Sequence, residues 1–160
     1  MYRFLFVLLA LATVFTSSPA GPAGAQTPVT LTLKRDMKFG DWAPDPNFSG
    51  TIVIGASADS ATSTGGVTSF GGTVRRARFQ IDGEPKTYVF VTLPSSITIR
   101  KGTSGNTMTV DSFTIDEPNP IYLGKNGRKT INIGATLRVG ANQAPGNYND
   151  DNQFTVFVDY

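Results

Sequence analysis

The 160-residue chain contains no cysteine and no histidine. Without cysteine no disulfide can staple the fold, so stability has to come from a packed core and from backbone ladders. Without histidine the commonest general base is missing, and with it the Ser/His and Cys/His nucleophile pairs and most zinc chemistry. An enzyme built from the remainder would have to use carboxylates, lysine or tyrosine. Charge is sparse as well: 16% of residues are charged and the formal net charge is +2. The pI near 9.0 reflects the lack of any group titrating near neutrality rather than a basic field. Nucleic acid and anionic membrane surfaces are therefore excluded as expected partners.

Long apolar runs are confined to the start. "MYRFLFVLLALATVF" places one arginine ahead of an apolar stretch from Phe4 to Phe15, and "SSPAGPAGAQ" follows with small residues. A membrane span needs roughly 20 apolar residues, so this pattern reads as a secretory signal peptide, residues 1–25, cut after Ala25, with Ala20 as the second candidate site. The expected organisation is then a removed leader (1–25), an N-terminal strand or donor extension (26–36), and one β-sandwich domain (37–160). No integral membrane span is expected in the mature chain. Its expected location is the periplasm, cell surface or exterior of a Gram-negative bacterium.

Beyond the leader, helical periodicity is absent and alternation takes its place. Val29, Leu31, Leu33, Met37 and Phe39 share one parity; Ala77, Phe79 and Ile81 face in against Arg78 and Gln80; Ile131, Ile133, Ala135, Leu137 and Val139 form the longest row. "TYVFVTL" is apolar on both parities, which predicts a central strand buried on both faces. "TMTVDSFTI" changes parity at Asp111 and Ser112, predicting a bulge. Asp82-Gly83 and Asn126-Gly127 supply turns, and "GASADSATSTGGVTSFGG" reads as a long loop holding at most one short edge strand. Many short strands with Gly/Pro turns and no helices point to an all-β, Ig-like or pilin-like antiparallel β-sandwich.

The chain closes on "NQFTVFVDY", where Phe154, Val156, Val158 and Tyr160 alternate with polar positions and Phe157 breaks the rule as an apolar residue on the outer parity. Phe157 therefore requires either a cover or a contact partner. Trp42 and Phe48 lie in "DWAPDPNFSG", read as a Pro-rich loop, where they could stack on sugar rings or cap the sandwich. Asn147, Asn149, Asp150, Asp151 and Asn152 could offer oxygen to calcium, but the spacing fits no EF-hand and Asn/Asp runs are ordinary turn chemistry. Arg75, Arg76 and Arg78 read as a charged outward strand. The acid pairs Asp82/Glu84 and Asp116/Glu117 sit beside turns, and nothing in their spacing sets two carboxylates across a cleft. No catalytic residue, cofactor or metal is assigned.

"MKFGDW", "ARFQIDGEPKTYVFVTLPSS", "MTVDSFT", "GATLRVGANQAPGNY" and "FTVFVDY", in that order, resemble a bacterial secreted domain known as domain-of-unknown-function family 4402. That family is in turn similar to spore-coat protein U and fimbrial-subunit domains. The resemblance implies export through the periplasm and assembly in which an extended segment of one subunit completes the sandwich of the next. Val29, Leu31 and Leu33 would form the inserted row, and Phe154, Val156, Phe157, Val158 and Tyr160 the terminal strand. Residues 29 to 39 read equally as one intrachain first strand. The expected function is a non-catalytic surface or fimbrial-like subunit associating by strand exchange or edge pairing, with sister subunits and a periplasmic chaperone as partners. The alternative is a monomeric glycan- or matrix-binding module using Trp42 and Phe48, and a third reading is a carboxylate-based hydrolase.

Overall fold

The computed structural model describes residues 26–103, 105–149 and 154–160. Its organising element is β11 (Arg128–Val139), the longest strand. The alternation of Ile131, Ile133, Ala135, Leu137 and Val139 drives all five side chains into the interior, where each is under a tenth exposed. Burying an isoleucine or leucine side chain is worth about 1.5–3 kcal/mol, so this row alone commits the strand's inner face. Along one flank β11 pairs first with β6 (Ala77–Asp82) and then with β3 (Gly50–Ile54); along the other it pairs with β9 (Thr107–Ile115). Outside these lie β1 (Thr30–Arg35) on β6, β4 (Ala61–Gly65) on β3 and β8 (Ser96–Arg100) on β9. Together they make a seven-stranded antiparallel sheet.

The facing layer comes in two separate pieces. One is a three-stranded sheet ordered β10 (Ile121–Tyr122), β7 (Tyr88–Thr92), β12 (Phe157–Asp159); the other is the ribbon of β2 (Lys38–Pro44) with β5 (Val67–Arg75). Two cores result. The first joins Ala77, Phe79 and Ile81 of β6 and Ile131 and Ile133 of β11 to Val89, Val91 and Ile121 of the small sheet. The second joins Ile52, Ile99, Val110, Ala135, Leu137 and Val139 to the half-buried Phe39 and Trp42 of β2. Met37 and Phe113 pack against both. There is no helix among the described residues, so the fold is an all-β antiparallel sandwich as the alternation predicts.

The bulge lies where parity predicts it. The β9–β11 register slips between Gly134 and Thr136, and Ser112 takes φ of +52° to make the turn. Asn126-Gly127 is a turn, with Gly127 at φ +63° and packed so closely that a Cβ there would lie 2.2 Å from the Gly83 carbonyl oxygen. It joins strands of different sheets rather than a hairpin.

Several expectations give way. The stretch 29–39 is not one strand: it breaks after Arg35, and β1 and β2 enter different layers. "DWAPDPNFSG" is not all loop, because Trp42 lies within β2. The Gly/Ser/Thr-rich stretch builds two strands, β4 and β5, since a β ladder is held by backbone bonds that small polar side chains do not oppose. β7 is buried on one face only: Val89 and Val91 are inside, Tyr88 and Phe90 outside. Among the described residues no layer lies over its outer face, so aromatic content, which suits a pleated surface, does not report burial there. The expected leader, residues 1–25, lies outside the described residues.

Candidate functional site

Among the described residues the facing layer is divided, and its two pieces do not meet. A cleft of about 1030 Å³ lies between β2 and the segment 143–149, and its lining reaches down to the half-buried Phe113 and to Ile52, Phe79, Ile99, Val110 and Leu137, which are themselves buried. Consecutive residues 36 to 42 form one wall, and among the described residues β2 is paired by β5 alone. The opposite wall is fixed by Tyr148, whose hydroxyl donates to the Ala144 carbonyl at 2.7 Å and accepts from the Gln143 amide at 2.8 Å. Asn149 then closes on the outer edge of β8 through a two-way backbone bridge to Arg100, at 2.7 and 2.9 Å. An apolar floor between backbone-bearing walls suits an extended peptide better than a polar small molecule.

The proposed assembly residues divide. Val29, Leu31, Phe154, Val156, Val158 and Tyr160 all pack against the first core. The N-terminal row is an intrachain strand: Leu31 lies opposite Ile81 and Leu33 opposite Phe79 in the β1–β6 ladder. Leu33 is nonetheless exposed and lines the cleft. Phe157 is exposed, on the outer face of the small sheet. Trp42 is half-buried, lines the cleft and spends its ring N–H on the Phe39 carbonyl at 2.5 Å. Phe48 is exposed and is not part of the cleft wall.

The C-terminal residue is tied to the start of the described residues. Tyr160 accepts a bond from the Glu84 amide at 2.7 Å and donates to the Thr27 carbonyl, while the Thr27 amide donates to Glu84 at 3.0 Å. The Thr27 side chain foremost, and its amide after it, hold the Glu84 carboxyl below the usual range.

The charged groups singled out by sequence have structural partners. Asp82 takes Arg128 and Gln80 as donors, and the Arg128 guanidinium is the main reason its pKa is lowered. Asp116 accepts from the Asn132 amide at 2.7 Å, and Glu117 lies 3.0 Å from Lys129. Arg75 pairs with Asp36, Arg78 donates to Asn132, and Asp59 takes Arg35 at 2.7 Å and Arg76 at 3.4 Å. Arg35 is the main cause of the lowered Asp59 pKa. Among the described residues no cluster of three acidic side chains is placed to hold a metal; Asp150, Asp151 and Asn152 of the calcium candidate lie outside them.

Sequence reasoning did not single out Tyr88, Phe90 and Tyr122, which stand beside Phe157 as exposed aromatics. Their signal was present: Tyr88 and Phe90 form one parity of "TYVFVTL", which only a covering layer would have buried. The cleft floor on β8 and β9 was also unassigned, because each strand alone looks like an ordinary core strand.

The described residues form a two-layer antiparallel sandwich, which defines the class as an all-β domain. The chain belongs to the family described as Domain of unknown function (DUF4402), whose profile matches residues 29–160. No curated protein and no solved structure matches it. No helix among the described residues is long and apolar enough to cross a membrane.

Proposed function

We propose that this protein is a non-catalytic, exported subunit of a bacterial surface assembly, and that an extended segment of a neighbouring chain lies in the cleft. One observation carries the reading: among the described residues the facing layer is in two pieces, and beside the cleft runs a strand, β2, that is paired there on one flank only. An inserted strand would pack alternate side chains on the exposed Leu33 and the half-buried Phe39, Trp42 and Phe113 of the cleft lining and take up backbone groups of β2, the two sources of affinity and register in strand addition. The apolar start of the sequence supports export. Because β1 already pairs with β6, exchange of residues 29–33 would require β1 to leave its own sheet. Pairing at the cleft edge requires no such rearrangement.

The test is size-exclusion chromatography with light scattering, plus electron microscopy, on the mature chain and on Leu33→Asp. Leu33 is exposed and at the cleft, so the variant should keep its melting temperature while losing oligomers. A wild type that stays monomeric at every accessible concentration, or oligomers indifferent to Leu33→Asp, would sink the reading.

A further inference from the structure

The outer face of the three-stranded sheet carries four exposed aromatic rings. Tyr122 of β10 pairs with Tyr88 of β7, Phe90 follows two positions along β7, and Phe157 of β12 lies opposite Thr92. They are 45%, 56%, 53% and 66% exposed. A two-residue step keeps side chains on one face, so the rings share a single surface that reaches across all three strands. Val89 and Val91 on the opposite face anchor the sheet to the core, which makes the platform rigid.

We infer that this face is a binding site for an uncharged glycan chain, distinct from the cleft. Three considerations select that occupant. The first is charge: outward positions of these strands hold Thr92 and Asp159 as their polar members and no lysine or arginine. A polyanion such as nucleic acid, an acidic polysaccharide or an anionic lipid surface would meet an aromatic field with a carboxylate at its edge, the wrong complement. The second is area. Rings of 150–250 Å² each, about half exposed, offer on the order of 400 Å² together, half of the roughly 800 Å² per partner that a stable protein interface needs. The patch is thus too small to hold a second copy by itself, yet is of the size that marks a ligand surface on a monomer.

The third is chemistry. The electron-rich ring faces attract the weakly positive C–H faces of pyranose rings, while the Tyr88 and Tyr122 hydroxyls and Asp159 can bond sugar hydroxyls. The Tyr88 and Tyr122 rings lie 5.0 Å apart and are inclined by 44°. The two rings are therefore not coplanar, which suits a soluble, conformationally free polysaccharide better than the flat face of a crystalline one.

The experiment is native affinity electrophoresis of the mature chain in gels cast with xyloglucan, hydroxyethylcellulose, glycol chitin, amylopectin or, as an anionic control, polygalacturonate. At least one neutral polymer should retard the wild type, and polygalacturonate should not. Phe90→Ala with Phe157→Ala should weaken the apparent affinity at least tenfold, and Phe48→Ala, an exposed ring elsewhere, should leave it unchanged. Circular dichroism melts check that each variant is folded. The inference fails if no neutral polymer retards the wild type, if polygalacturonate retards it equally, or if the double variant binds as well as the wild type. It fails likewise if Phe157→Ala abolishes a concentration-dependent dimer while no glycan is bound. Because Leu33→Asp tests the cleft and these variants test the opposite side of the small sheet, either reading can fall without the other.

Discussion

At the scale of single residues, two side chains act as substitutes for backbone. Asn119 donates to the Val91 carbonyl at 2.9 Å and accepts from the Val91 amide at 3.1 Å, so its side-chain amide completes the ladder of β7 just beyond the short strand β10. Asn119→Ala would leave both Val91 groups unmet and should cost about 1–3 kcal/mol in urea unfolding. Tyr160 does similar work at the end of the chain, where one hydroxyl satisfies Glu84 and Thr27 together. Tyr160→Phe preserves the ring against the core and removes only these bonds. A loss of about 1–3 kcal/mol is expected by the same measurement, whereas a neutral result would mean that water replaces the hydroxyl.

At the scale of elements, the β9 bulge couples a strained residue to an ion pair. Ser112 adopts a left-handed conformation, which for a β-branched side chain costs roughly 1–2 kcal/mol or more. Ser112→Val should accordingly lower stability while Ser112→Gly should be neutral or slightly stabilising. Next to it, Asp111 pairs with Arg138 of β11, and that bond, foremost among the causes, holds its pKa low and raises that of Arg138. A carboxylate with a folded pKa below its unfolded value of about 3.9 contributes stability above that value and loses it as pH falls through the lower folded one. Asp59 and Asp82 act in the same sense. The melting temperature should therefore fall on acidification below about pH 4, and Asp111→Asn should make that limb shallower in scanning calorimetry. Equal slopes for variant and wild type would remove Asp111 from the account.

At the scale of the whole molecule, one large sheet is shared by two cores, and its facing layer fails to meet in the middle. The first strand belongs to that large sheet. Deleting residues 26–33 would strip most of β1 from β6 and remove Leu31 from the first core, together with the Thr27 tie to Tyr160 and Glu84. We expect the melting temperature to drop by more than about 4 °C, roughly the shift that 1 kcal/mol produces in a domain between 100 and 150 residues long. An unchanged melting temperature together with lost oligomers would instead favour a donor role for the segment.

The sequence by itself determined the local backbone: strand parity, the inward rows of β6 and β11, the bulge at Asp111 and Ser112, and the all-β class. These follow from the two-residue period of a strand and from turn chemistry, both carried by near neighbours. It did not determine whether a given apolar row is covered. The same alternation places Val91 inside and Phe90 and Phe157 in solvent, because burial depends on what lies opposite, and that is supplied by residues far along the chain. The tertiary structure alone decided that β1 pairs within its own chain, that the facing layer is split over an apolar cleft, and that four aromatic rings gather on one open face.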